Sequence, residues 1–424
     1  MTLHNSPLAV SAPVFRRWSG HRDSVVMLGC AMVGFSSLYL TQSLGPTLHA
    51  LHGLTLAQCA SLLTATTVGL ALASPLAGRL VHRLGARRAL IAGLVTLGLL
   101  DVGLAWVQGF AGLLAVRCAQ GVAMPMVLSA LLSSLDRQAT PQAALGLSAT
   151  YVMGTISGGI IGRLLPSTLV PLVGWQTAFL TLALLHAAAV ALAWAGLQER
   201  PARAAIIAAG TENATDAPST TPHTAIPQTA LPWMAVCVGG FALLFSQIAV
   251  FTAVAFRLAD PPFGWSTAAL GCLYLVFLPS LALVHGARRM VTALGHARAV
   301  TLAGLGGWAG LALTLGATTA TTAATTAIIV GLALFSTAVF IIQAVLAHAL
   351  SLCRTGSSAR ASGGYLFFYY GGGSLGALAA ALVWPPFGWA GCLILIATVQ
   401  LAAMALTLAL RSLGRPHPHP PHPR

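Results

Sequence analysis

The sequence predicts an all-α integral membrane protein of twelve transmembrane helices, arranged as two six-helix pseudo-symmetric bundles. Three observations predict it. Of 424 residues, 57% are hydrophobic and 7% charged, with a mean hydropathy of +0.84. A soluble chain carries roughly 25% charged residues, so this one needs lipid as its solvent. Apolar runs of spanning length, ~20 residues each, form two groups of six around a polar break. The two groups also repeat each other's motifs in register.

In chain order the first six spans are Ser24–Leu48, Leu56–Ala77, Ala89–Gln108, Ala111–Leu132, Ala143–Leu169 and Thr177–Trp194. Residues 1–23 form a cytoplasmic tail without a small-residue cleavage site, so the first helix is expected to be retained. Residues 198–231, rich in Ala, Thr and Pro and without apolar periodicity, read as a flexible cytoplasmic linker between bundles 24–197 and 232–410. The second six spans are Trp233–Phe256, Ser266–His285, Ala299–Gly316, Thr326–Leu350, Gly363–Trp384 and Ala390–Leu410. The tail 411–424 ends in HPHPPHPR, where recurring proline excludes helix; it reads as disordered.

All 21 basic residues are arginine. With both termini inside, only Arg257 falls on the outer side, and only Arg117 and Arg163 fall within spans. That is the positive-inside pattern, and it supports the count of spans better than any single boundary. Trp106, Trp175, Trp265, Trp384 and Trp389 are expected in an interfacial belt at the outer ends.

Several function classes are excluded on the same grounds. The net charge of +14 is dispersed among loops and sets orientation, so nucleic-acid binding is not expected. Seven acidic residues, three of them in the linker, leave little material for a catalytic dyad, so the chain is not read as an enzyme. The scattered cysteines show no metal or disulfide spacing. No metal, no cofactor and no obligate protein partner is expected; the partners are the lipid bilayer and a small-molecule substrate.

The repeat is carried by residues at a nearly constant offset. Tyr151 maps to Tyr365, Gly158 and Gly159 to Gly372 and Gly373, and Gly162 to Gly376. Pro171, Gly174 and Trp175 map to Pro385, Gly388 and Trp389, and Leu84-Gly85 to Leu294-Gly295. An even number of spans per repeat makes the two copies parallel, a geometry that places a substrate site between halves near the midplane. Gly158 and Gly162, like Gly372 and Gly376, share a helix face and allow close backbone approach. They are read, with Gly154, Gly159 and Gly373, as the glycines of gate helices; static packing is the alternative.

Ionisable side chains at membrane depth are functional candidates. Asp101 is the only acid within a span. It lies as far before the turn between spans three and four as Arg117 lies after it, so the two are expected to pair at similar depth. The pair either braces the hairpin or breaks on protonation to bias a conformational switch. Arg163, near the outer end of span five, is expected to snorkel to the interface, and His186 and His348 to donate between helices.

The loop GRLVHRLGARR, with Gly78, Leu80, His82, Arg83, Gly85, Arg87 and Arg88, resembles the signature loop of the major facilitator superfamily. Arg117-Cys118-Ala119-Gln120-Gly121 is similar to that family's R-x-x-Q-G motif. YVMGTISGGIIGRL in span five and YLFFYYGGGSLG in span eleven resemble its bacterial YnfM-like, or arabinose-efflux-permease-like, branch of drug–proton antiporters. One position departs: His82 stands where the family has a gate acid, which implies either a weaker or pH-dependent cytoplasmic gate or a harmless substitution.

The resemblance implies a secondary active transporter working by alternating access, with proton-coupled export across the bacterial cytoplasmic membrane and a proton gradient as driving force. An uptake permease or uniporter, and a transport-inactive scaffold or sensor, remain alternatives. It also implies a cavity lined by Tyr39, Gln42, Gln120, Met124, Gln247, Phe251, Tyr274, Gln343, Tyr365 and Tyr369. Aromatics, Met and amides with almost no charge suit a moderately apolar or neutral-polar solute.

Overall fold

A computed structural model describes residues 15–135, 141–196, 230–283, 286–352 and 358–407. The expected linker, apart from its last two residues, and the His/Pro-rich tail lie outside them. The described residues are helical and contain no strand.

Helix α1 (Phe15–Tyr39) starts within the expected tail and stops short of the expected end of span one; a turn leads into α2 (Gly45–His52). Thr55 then opens α3 (Leu56–Leu84) with a reciprocal cap, its hydroxyl accepting from Gln58 N–H and Gln58 Oε1 accepting from Thr55 N–H. Gly85, at φ 82°, turns the chain into α4 (Ala86–Trp106). Next come α5 (Gly109–Leu135) and α6 (Pro141–Gly196). The second half runs α7 (Ala230–Ala259), α8 (Thr267–Cys272), a 3-10 turn (Leu273–Phe277), α9 (Leu278–Leu283), α10 (Gly286–Leu294), α11 (His296–Leu315), α12 (Thr322–Leu352) and α13 (Ser358–Thr407).

Among the described residues eight helices are long and apolar enough to cross a membrane, and two of these, Thr150–Gly196 and Gly364–Ala405, are long enough for two passages each. Gly174 (φ 82°, ψ 169°) divides α6 and Gly388 (φ 58°, ψ −154°) divides α13 into two arms. With α1 and the apolar stretch Thr267–Leu283, this makes the two six-helix bundles. Span eight differs from expectation in being three short helical pieces. Short α10 occupies what reads as a loop; its Ala287, Met290 and Val291 join the core of the second bundle while Arg289 is exposed.

The backbone at the two divisions is almost reserved for glycine. Gly174→Ala and Gly388→Ala are each expected to cost about 1–3 kcal/mol. The lowered midpoint of thermal unfolding, followed by size-exclusion chromatography, checks this.

The repeat in sequence is a repeat in packing. A Cβ on Gly158 would overlap the Met32 carbonyl, and one on Gly162 the Ser36 carbonyl. The equivalent atoms on Gly372 and Gly376 would overlap the carbonyls of Phe241 and Phe245. Thus α1 runs against the first arm of α6 as α7 runs against the first arm of α13. Trp175 Nε1 donates to the Leu104 carbonyl (2.8 Å), and its counterpart Trp389 Nε1 to Thr314 Oγ1 (3.0 Å). These two indoles, each next to the glycine that divides its helix, act as internal ties, with Trp389 8% exposed. A ring with a buried N–H needs an acceptor, and helix ends supply one. Trp106 is exposed as expected.

The halves meet along a seam that is closed at the face carrying the α1–α2 turn. There Thr47 and Thr267 hydroxyls bond at 2.7 Å, and deeper in the seam Thr67 Oγ1 lies 2.6 Å from Ser374 Oγ. Thr64 Oγ1 donates to the Ser374 carbonyl (3.0 Å). An apolar cluster joins Leu38, Leu63 and Leu70 to Ile248, Tyr370 and Ala377 across the seam.

Candidate functional site

Two buried polar assemblies occupy the membrane interior. The first lies within the N-terminal bundle. Arg117, fully buried, donates from Nη1 to the Ser37 carbonyl (2.7 Å) and to Gln120 Oε1 (2.6 Å), and from Nη2 to the Leu38 carbonyl (2.6 Å). Gln120 Nε2 donates to Asp101 Oδ1 at 2.7 Å. Asp101 Oδ2 lies 3.0 Å from His186 Nδ1, and His186 Nε2 is 3.0 Å from Ser37 Oγ. The result is a closed ring through α1, α4, α5 and the second arm of α6.

Its acceptors on α1 have a local cause. The last carbonyls of a helix lack intrahelical partners, and Gln42 N–H bonds Tyr39 O rather than Leu38 O. The guanidinium therefore caps α1 where it stops, at the helix end that favours a cation. His186 Nδ1 is also 3.1 Å from the Leu182 carbonyl. Asp101 Oδ2 has no aligned hydrogen bond.

The expected direct Asp101–Arg117 pair is thus corrected: the two share a depth, but Gln120 stands between them. Gln120 is one turn from Arg117 on α5, and its amide has an acceptor for one neighbour and a donor for the other. Gln120 accordingly belongs to this ring and not to the cavity lining. His186 does donate or accept between helices as expected. His348 pairs with His296, Nδ1 to Nε2 at 2.9 Å with stacked rings.

The second assembly lies on the seam. Arg163 is 2% exposed and does not snorkel. Its Nε donates to Gln42 Oε1 (2.8 Å) and its Nη1 to the Gly159 carbonyl (2.7 Å). Gly159 eases this: a Cβ there would stand 3.2 Å from Nη1, tighter than ordinary contact, so its absence gives the guanidinium room to fold back towards mid-membrane. The cation lies 3.6 Å over the Tyr39 ring from its own half, and 4.7 Å over Tyr274 and 5.5 Å over Phe277 from the other. Gln42 Nε2 reaches on to the Ile248 carbonyl (3.4 Å) and Thr252 Oγ1 (3.5 Å) in the C-terminal half.

Aromatic residues continue from there. Phe251 is 5.2 Å from Tyr274 and 4.9 Å from Phe277, ring centre to ring centre. Tyr369 stacks on Tyr365 (5.8 Å) and meets Tyr370 edge-on (5.2 Å). Tyr39 and Tyr151 pack with Tyr369 and Tyr370 in the cluster across the seam. All six tyrosines of the chain therefore belong to this region. Met124 lies in the apolar seam cluster, Gln343 is half-buried, and buried Gln247 has neither amide atom hydrogen-bonded.

The remaining expected residues divide. The close approaches of Gly154, Gly158 and Gly162, like those of Gly372 and Gly376, fall inside each half and not across the seam. Gly373 packs against Leu244 and Ile248. The segment expected as the signature loop is helical except at Gly85: Gly78, Leu80, His82 and Arg83 are exposed on the last turns of α3 and Arg88 on the first turn of α4, while Arg87 Nη2 donates to the Trp194 carbonyl (2.8 Å). Residues that sequence reasoning missed are Ser37, Phe277 and the pair Ser43 and Ser167, whose hydroxyls bond at 2.6 Å while Ser43 also donates to the Arg163 carbonyl (2.8 Å). Serines in apolar helices carry no periodic signal, and only the kink in span eight could have marked Phe277.

Two parallel six-helix repeats that meet along an aromatic seam are an architecture of secondary transporters. The sequence model of the Major Facilitator Superfamily matches residues 24–377, and the chain belongs to that superfamily. It is a multi-pass membrane transporter of a small solute.

Its sequence is similar to an uncharacterized transporter from Buchnera aphidicola subsp. Schizaphis graminum, 22% identical over 94% of each chain. It is 24% identical to the uncharacterized MFS-type transporter YybF of Bacillus subtilis over 93% of each. It is 23% identical to the inner membrane transport protein YnfM of Escherichia coli over 61% of this chain and 60% of that one. Among solved structures the fold resembles a D-xylose-proton symporter (TM-score 0.67, 15% identity, 91% of this chain and 97% of that one). It also resembles the nucleoside transporter NupG (TM-score 0.65, 14% identity, 93% and 100%).

Proposed function

We propose that the chain exports a small organic solute across the bacterial cytoplasmic membrane, driven by protons, with both termini in the cytoplasm. The closure at the α1–α2 turn is then on the outer side. The observation that carries the coupling is the contact between Asp101 and His186 within the ring that holds the end of α1. A proton taken up by this pair changes the net charge of the ring by one. The ring grips Ser37 and Leu38, one turn before Gln42, which bridges to the other half. A change of protonation in one bundle is thereby connected to the outer closure through the last turn of α1.

Cells stripped of their own efflux pumps and expressing the protein are expected to accumulate less of some labelled drug or dye from a broad panel. A protonophore should abolish the difference. Accumulation that rises on expression, or that is indifferent to the protonophore, would reject proton-driven export.

A further inference from the structure

The guanidinium of Arg163 is a buried cation with no anion. Among the described residues the acid–base contact within the membrane is that of Asp101 with His186, and no carboxylate approaches Arg163. Burying a charge costs several kcal/mol unless it is paired. Here the compensation is an amide oxygen, a carbonyl and three aromatic faces, which offset the cost in part. Two further buried polar groups nearby are unsatisfied. The Tyr274 hydroxyl, on the ring beneath the guanidinium, has no directed hydrogen bond, and neither has the Gln247 amide. Gln247 lies one turn before Phe251 on the same face of α7, and Phe251 packs on Tyr274. Such groups are stabilised by a ligand that brings acceptors.

Resting on the transporter reading above, we propose that Arg163 is the recognition residue of this site and that the solute is an organic monoanion with an aromatic or apolar body. Its carboxylate-like group takes charge-assisted hydrogen bonds from the guanidinium and from the Tyr274 hydroxyl. Its body packs among the tyrosines and phenylalanines of the seam. The planar fork of arginine matches a carboxylate, which a lysine would meet only as a point charge. This proposal departs from the neutral solute expected from composition because the cation belongs to the seam and not to the lipid interface.

The test uses purified full-length protein and three probes built on one phenyl ring: benzoate, its planar isostere benzamide, and benzylammonium. Binding is read from the shift of the thermal unfolding midpoint over a concentration series. Benzoate should bind, and the amide and the ammonium should not. Arg163→Gln should weaken benzoate by about 10- to 100-fold. Tyr274→Phe, which removes one hydroxyl, should weaken it by about 10-fold. Arg163→Lys, which keeps the charge, should retain weakened binding and guards against misfolding of the Gln variant. Equal binding of benzamide, undiminished benzoate binding in Arg163→Gln, or no binding by any probe would overturn the proposal.

Counterflow of labelled benzoate in proteoliposomes separates the two readings. Arg163-dependent binding without counterflow would reject transport and leave the anion site standing. Counterflow of a panel solute regardless of its charge would do the reverse.

Discussion

Asp101→Asn is expected to abolish protonophore-sensitive export while leaving a folded protein, and Asp101→Ala to lower stability by about 3–5 kcal/mol. The argument is one of charge and of satisfied groups. Asp101 and Arg117 are both fully buried, and the ring is neutral only while both are ionised. Removing the carboxylate strands a buried guanidinium and leaves Gln120 Nε2 without its acceptor. Asparagine keeps an oxygen for Gln120 but can no longer exchange a proton with His186. Unfolding midpoints of Asp101→Asn, Arg117→Gln and the double variant should show strong coupling, the second substitution costing less in the background of the first. Export in Asp101→Asn at the level of the unchanged protein, with the same protonophore sensitivity, would reduce the ring to a brace for α1.

Gly162→Val and Gly376→Val are expected to be strongly damaging, and damaging to a similar degree. A Cβ at either position overlaps a backbone carbonyl, that of Ser36 or of Phe245, which cannot swing aside as a side-chain tip can. Overpacking of this kind costs about 1–3 kcal/mol or more. In each half it would separate the two helices whose contact the repeat preserves. The expected readout is loss of the monodisperse peak on size-exclusion chromatography for both variants. Gly78→Ala is the control: a Cβ there meets nothing within 4 Å, and alanine in place of glycine within a helix is neutral or slightly stabilising. An unaffected Gly376→Val beside a collapsed Gly162→Val would refute the equivalence of the halves.

Much of this was legible before any coordinates. Composition demanded lipid, and arginine placement supported the number of crossings, because a single missed helix would scramble the asymmetry. The repeat of Gly158, Gly162 and Gly174 at Gly372, Gly376 and Gly388 reappears as matched carbonyl contacts and matched backbone breaks. The common depth of Asp101 and Arg117 could be counted from the turn between their helices.

What could not be counted is where each side chain points. Helical spacing supplies depth and face, but the ring is closed by Gln120 reaching Asp101 ahead of Arg117, and by carbonyls of α1 that are free only because α1 stops at Tyr39. The packing partners of the glycines, within each half and not across the seam, depend on which helices are neighbours, and sequence order does not state that. Arg163 shows the difference best. Its place near the outer end of a span suggested the interface by length alone. Gly159 gives it room to turn inward, and Tyr39, Tyr274 and Phe277, from opposite halves of the chain, receive it there. Sequence determined the solvent, the crossings and the symmetry, because these follow from local hydropathy and charge. Tertiary structure alone decided the charged site, because a buried cation is held by groups that only the assembled bundles bring together.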